Sequence, residues 1–337
     1  VANGTVGKVL EPQFSLSQGF RAFIGDKSLN NYLFWAASIF LVALLAKEFI
    51  SPTWVQYWSH PQWGSVQVDP VKGVGIGLLA GFMGGAVGAF ISLFSIPLYT
   101  LWLGLPVKVA MGTNSLASAV IGLFAAWMHF QKKTPNLRIA WPMMLAGLIG
   151  AGLGAFISLG IPNKILKMYF SILVFLAAGW MIYRVFVPKE ETGAAWIKTD
   201  KKGFLIAEGQ WRGTTYRTDI ISPAVGNVFI ALISGIVGVG GGFLFTPMLN
   251  AVFGIPLVVA VGTGNFVKVA NIGSQFIVRG VAETVIYPLA IFAMCGGYCG
   301  ARLGRRLALA VNPKYLRIFF GLALIYIGLQ YVGIKFF

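Results

Sequence analysis

The chain has 337 residues, with 26 Lys and Arg against 10 Asp and Glu, a net charge of +16; it is 57% hydrophobic and 11% charged. An average soluble protein carries about 25% charged residues, and disordered chains combine low hydrophobicity with high charge. A disordered chain is therefore excluded, and a soluble globular fold runs against the composition. The 43 Gly follow no three-residue period and there are 2 Cys, which excludes a collagen and a disulfide scaffold. What remains is an all-α polytopic membrane protein, and its length corresponds to roughly two units at about 150 residues each.

The first 30 residues hold no apolar core of the signal-peptide kind, and Phe20, Arg21, Phe23 and Ile24 give them the character of an interfacial or cytoplasmic arm. A span needs about 20 mostly apolar residues. Stretches that qualify run over 31–50, 106–130, 139–161, 165–187, 256–278, 284–301 and 315–334. Two longer apolar regions, 71–104 and 220–254, are interrupted by Gly and Pro. The first span, with the Trp-rich segment 54–63 after it, reads as an extra N-terminal transmembrane helix and external loop over 31–70. Residues 188–219 are a polar linker, in which 196–198 and 204–206 flank a turn-like Thr-Asp-Lys-Lys-Gly and fit a small hairpin outside the membrane.

Positions 150 residues apart match without a gap. Gly85, Pro97, Gly104, Pro106 and Gly112-Thr113 fall on Gly235, Pro247, Gly254, Pro256 and Gly262-Thr263; Lys164, Leu166 and Phe170 fall on Lys314, Leu316 and Phe320. The expected organisation is two homologous repeats, 71–187 and 220–337. Transporters are often built this way, with the substrate site where discontinuous helices of the two halves meet. The discontinuities here are 81–97 and 235–247, since the Gly238–Gly240-Gly241-Gly242 run is a poor continuous helix. Gly150/Gly154 and Gly296/Gly300/Gly304 have four-residue spacing and read as helix-packing surfaces.

The basic residues lie mostly in short loops, as expected of topology signals on the cytoplasmic side, and not in a stripe for nucleic acid. Lys132, Lys133 and Arg138 follow the second element of the first half; Arg302, Arg305, Arg306, Lys314 and Arg317 follow the third element of the second. With both groups cytoplasmic the repeats are inverted and each glycine-broken first element is re-entrant; two parallel halves are the rival arrangement.

Asn265, Lys268, Asn271, Gln275 and Arg279 recur in three- and four-residue steps, along one helical face. Ser115, Ser118 and His129 take the corresponding places in the first half. Pro106 and Pro256 suit the first helical turn. Lys268 sits mid-span, where an ionisable residue is costly and functional by default. No Asp or Glu lies at comparable depth, so its expected partner is an anionic substrate. Thr113, Asn114, Ser115 and Ser118 are expected to hydrogen-bond the substrate from one side, Thr263, Asn265, Asn271 and Gln275 from the other, and Gly240, Gly241 and Gly242 to offer backbone N–H groups. His129 and Arg279, at helix ends, read as interfacial anchors. Cys295 and Cys299 read as inert thiols, too few for a zinc site. No nucleophile–base pattern, phosphate-cradling loop or cofactor motif is present in the sequence, so an enzyme is not expected.

The run Gly-Ile-Val-Gly-Val-Gly-Gly-Gly-Phe-Leu-Phe-Thr-Pro ending at Pro247, followed by Gly254-Ile255-Pro256 and Ala260-Val261-Gly262-Thr263, resembles the TauE/SafE family of sulfite and organosulfonate exporters. The resemblance covers about 71–337. The first half keeps Gly112-Thr113-Asn114-Ser115 but has Ala89, Phe90, Ile91 and Ser92 in place of the triple glycine, and Gly264 stands where Ser or Asn is usual. The resemblance implies transport of a small sulfur-containing anion (sulfite, thiosulfate or an organosulfonate) across a prokaryotic inner membrane. A secondary carrier with alternating access between the halves is the expectation; a passive anion channel and a non-transporting sensor or scaffold are the alternatives.

Overall fold

Within lipid a chain must satisfy its own backbone hydrogen bonds, which leaves helices for sequences of this kind. In the computed structural model, residues 56–60, 64–87, 91–186, 205–211, 214–311 and 313–332 are described. The expected arm over 1–30 and the helix over 31–50 lie outside them. The described chain is mostly helical, and five of its helices are long and apolar enough to cross a membrane.

A hairpin of β1 (Gln56–His60) and β2 (Gly64–Val68) comes first, paired antiparallel with Gln56 opposite Val68. Helices α1 (Pro70–Val87), α2 (Ile91–Trp102), α3 (Val107–Gln131), α4 (Leu137–Gly160) and α5 (Asn163–Phe186) follow. A second hairpin, β3 (Ile206–Trp211) with β4 (Thr214–Asp219), precedes α6 (Ile221–Val237), α7 (Gly242–Pro247) and a π-helical turn, Met248–Val252. Helices α8 (Leu257–Val281), α9 (Tyr287–Ala310) and α10 (Pro313–Val332) complete the chain. The linker hairpin thus lies further along than the sequence indicated, and 196–198 and 204 fall outside the described residues.

The second interrupted region is broken by a turn, and in the first, 88–90 lie outside the described residues. Helix α6 stops at Gly238, whose left-handed φ of 81° lets its N–H return to the Ser234 carbonyl at 2.7 Å. Gly240 and Gly241 are also left-handed, at 73° and 74°. α9 spans Arg302, Arg305 and Arg306 in its C-terminal half and is not among the five membrane-length apolar helices.

Many element bounds in the second half equal first-half bounds plus 150: α3 and α8 correspond at both ends, as do α4 and α9, and each hairpin precedes a corresponding helix. Local geometry follows the same offset. Gly104 and Gly254 have φ of 66° and 65°, and Lys133 and Glu283 have 51° and 52°. Pro106 and Pro256 stand one residue before the first helical position, as N-caps with extended ψ of 140° and 136°. Thr134 and Thr284 close α3 and α8 alike: each donates its N–H and its hydroxyl to the carbonyl of residue 129 or 279.

Packing pairs elements across the halves: α1 lies along α9, and α6 along α4. The contacts are made by small residues. A Cβ on Gly150 or Gly154 would strike the backbone of α6, and one on Gly296, Gly300 or Gly304 the backbone of α1. These are the packing surfaces that the spacing indicated. Beyond its first turns helix α4 is apolar all round, and there residue size selects its buried face: Gly147, Gly150, Ala151, Gly154 and Ala155 point inward while Ile149, Leu153 and Phe156 are exposed. α3 and α8 pack together at the centre. One buried cluster gathers α1–α3, α5 and α10; the second gathers the start of α4, α7, the π turn and α8, with Ala207, Trp211 and Tyr216 of the second hairpin against it.

Candidate substrate site

The most unusual buried backbone is the turn between α6 and α7, residues 238–241, all of it buried. Its left-handed glycines turn the chain where a side chain would meet a neighbour. A Cβ on Gly238 would press on Met111 of α3, one on Gly240 on Ile272 of α8, and one on Gly242 would lie 3.0 Å from Cδ of Lys268. The turn therefore fits between α3 and α8 because its three glycines carry no side chains there, while Val239 packs into the apolar core.

Two groups of polar residues meet it. From the first half, Asn114 donates its Nδ2 to the Gly238 carbonyl at 3.3 Å. Its Oδ1 accepts from Ser118 at 3.0 Å and from Ser95. Ser118 and Ser92 share a hydrogen bond of 3.3 Å. All four side chains are buried. Ser92 and Ser95, on α2, were not singled out in the sequence. The signal that finds them is the offset itself, since Ser92 aligns with Gly242 and Ser95 with Phe245.

From the second half comes Lys268, 5% exposed, its stem lying over Gly242. Its ammonium makes no hydrogen bond or ion pair with the described residues. Ion pairs join Lys72 to Asp69 and Arg217 to Glu208. Removing a charge from water without compensation is costly.

Arg279 does not reach outward as an interfacial anchor would: it is 1% exposed and the largest fully buried side chain among the described residues, which corrects that expectation. Its Nη1 donates to Gln275 Oε1 at 3.1 Å, and its Nη2 to the Gly235 carbonyl at 2.7 Å and to Ser158 Oγ at 3.3 Å. Its length lets it reach α4 and α6 from α8, so the guanidinium is consumed by structure. The corresponding His129 is half-buried, with Nδ1 3.0 Å from Thr134 Oγ1.

The remaining expected site residues are distributed through the frame around the turn. Thr113 Oγ1 accepts the Ile286 N–H at 3.1 Å, and Thr263 Oγ1 accepts the Asn136 N–H at 3.0 Å. Each hydroxyl thus holds the start of a helix from the other half. Ser115 bonds the Gly112 carbonyl and Asn265 the Val261 carbonyl, both within their own helices. Asn271 donates to Asn227 at 3.5 Å, and Asn227 to the Met143 carbonyl, tying α8 to α6 and α4. Asn271 Oδ1 and Gln275 Nε2 are buried with no hydrogen-bond partner among the described residues. The structure thus places Asn114, with Ser118 bonded to it, at Gly238 and the Lys268 stem at Gly242, while Thr113, Thr263, Ser115, Asn265, Asn271 and Gln275 bond elsewhere in the surrounding helices.

Outside the helices, Tyr216 of β4 is pushed above the ordinary tyrosine pKa by burial, while its hydrogen bond from Asn136 Nδ2 at 3.0 Å acts the other way. Asn136 also caps α4, accepting the N–H groups of Arg138 and Ile139.

Apolar helices of membrane length, interleaved across the halves around a buried broken element, define a multi-pass membrane protein. Residues 73–331 match the model of the sulfite exporter TauE/SafE family, and the chain belongs to that family of membrane transporters. It is 25% identical over 232 residues to the probable membrane transporter protein YdhB of Bacillus subtilis, covering 67% of this chain and 85% of that protein. It is 22% identical over 265 residues to YunE of the same organism, covering 76% and 95%. A probable membrane transporter protein of Xylella fastidiosa is 26% identical over 264 residues, 77% of this chain and 93% of that one. No solved structure matches.

Proposed function

We propose that the chain is a secondary transporter that exports a small sulfur-containing anion, such as sulfite, thiosulfate or an organosulfonate, across a prokaryotic inner membrane. Two inverted repeats, each with a re-entrant first element, alternate access to a site at the 238–242 turn. The observation that carries this reading is the buried side chain of Lys268, its stem over Gly242 and its ammonium without a hydrogen-bond or ion-pair partner among the described residues. The family supports the class of cargo, and the recurrence of element bounds at an offset of 150 supports the repeats. Asn114, Ser118, Ser92 and the Gly240–Gly242 backbone face the cargo with Lys268. Thr113, Thr263, Ser115, Asn265, Asn271 and Gln275 hold those groups in place.

Proteoliposome flux of labelled sulfite tests it. The wild type gives saturable flux with counter-transport. Lys268→Ala and the bulkier Lys268→Met lower it about tenfold or more, the equivalent of 1.4 kcal/mol of lost binding. Unchanged flux removes Lys268 from the mechanism, and an ohmic current replaces the carrier with a channel.

A further inference from the structure

We propose that this site is matched to one negative charge, so that the transported species is a monoanion and dianions are rejected. The inference rests on the reading of the 238–242 turn as the substrate site.

It follows from how the two sides differ at equivalent positions. In the first half, Ser92 and Ser118 meet hydroxyl to hydroxyl at 3.3 Å. Advanced by 150, the same positions are Gly242 and Lys268, where the lysine stem covers the glycine. Asn114 and Ser95, hydrogen-bonded to each other, become Gly264 and Phe245, where a Cβ on Gly264 would lie 3.3 Å from Cβ of Phe245. One side therefore supplies uncharged hydrogen-bonding groups and the other a single cation. Among the described side chains that meet Gly238, Gly240, Gly241 and Gly242, Lys268 is the charged one. Arg279, about three turns further along α8, has its guanidinium committed to Gln275, Gly235 and Ser158.

A buried site balances charge because an uncompensated ion loses its hydration. A neutral ligand would leave the Lys268 ammonium unpaired. A dianion would bring one charge too many. A monoanion with several oxygens suits both sides: one oxygen meets the ammonium, and others meet the hydroxyl and amide groups. Hydrogensulfite and alkylsulfonates have this chemistry; sulfate and thiosulfate, both dianions, do not, so the inference narrows the cargo proposed above to those monoanions.

The test compares methanesulfonate with sulfate and ethane-1,2-disulfonate as stabilisers of the purified full chain in lipid nanodiscs. The expected result is saturable stabilisation by methanesulfonate, with both dianions at least about tenfold weaker, a difference of one decade in affinity. A Ser92→Gly, Ser118→Lys double variant rebuilds the lysine-over-glycine pair in the first half. It is expected to shift the ratio toward the dianions by about tenfold or more, on the same scale. Equal wild-type affinity for mono- and dianions overturns the inference while leaving an anion site in place. A folded double variant with an unchanged ratio overturns it as well. If the double variant does not fold, the wild-type ratio decides alone. No stabilisation by any of the three anions overturns the substrate-site reading, and the inference with it.

Discussion

The guanidinium of Arg279 donates to the backbone carbonyl of Gly235 at 2.7 Å, and so closes the C-terminus of a helix that stops two residues later. The last four carbonyls of any helix lack partners inside it, and the helix end carries partial negative charge that a cation stabilises. The Ser234 carbonyl is taken by the N–H groups of Gly238 and Val239. That of Gly235 takes Arg279. A buried cation is thus accommodated without a carboxylate because a broken helix needs one.

Arg279→Ala is expected to leave the Gly235 carbonyl and Gln275 unsatisfied and to open a cavity. The cost is about 3 kcal/mol or more, read as a lower melting temperature in detergent. Arg279→Lys is expected to recover part of it, since one ammonium cannot reach Gln275, Gly235 and Ser158 together. An unchanged melting temperature in Arg279→Ala would show that the broken helix needs no such clamp.

Gly240→Ala places a methyl on a left-handed residue and drives it into Ile272. The backbone term alone is about 1–2 kcal/mol. The expected outcome is loss of flux together with loss of stability, and Ile272→Ala in the same chain is expected to relieve the clash but not the backbone strain. Recovery of full stability in the double variant would mean that the left-handed turn is unimportant.

Thr113→Val and Thr263→Val each strand one backbone N–H, of Ile286 and Asn136 respectively. The shape of the side chain is nearly kept. Each is expected to destabilise by about 1–3 kcal/mol, by similar amounts, and additively in the double variant because they share no hydrogen-bond partner. Denaturation of the three variants measures this; a large effect at one threonine and none at the other would contradict the equivalence.

Tyr216→Phe removes the acceptor for Asn136 Nδ2 and is expected to cost about 1 kcal/mol, with faster amide exchange in β3 and β4. The raised pKa of Tyr216 adds a pH dependence. Burial keeps the phenol neutral in the folded state, so its contribution is intact below the ordinary tyrosine pKa and declines as pH rises past it. The wild type is expected to lose this increment in alkali and Tyr216→Phe is not; parallel pH profiles would refute the assignment.

Much of the frame was legible because the constraints are local and repeated. A Gly before a Pro at 104–106 and at 254–256 sets a turn and a helix start wherever it stands. The structure moves those prolines only from the first turn to the N-cap. Glycines four apart mark a face on which a helix backbone can approach, whichever helix it proves to be. Lys268 was legible because an ammonium in the middle of an apolar run is expensive in any fold.

The sequence by itself determined the helical class, the family, the places where the helices break and the one intramembrane ammonium worth following, since each depends on neighbours within a few residues or on a matching stretch elsewhere. Only the tertiary structure decided what each polar group faces. It turned Arg279 from a boundary residue into the cap of α6, assigned the hydroxyls of Thr113 and Thr263 to helix starts in the opposite half, and brought Ser92 and Ser95 into the group around Asn114. The reason is that a helix in an apolar protein is hydrophobic on every side, so its pattern does not mark the inward face. Side-chain size and the partner helix do, and partners distant in the chain are fixed by packing alone.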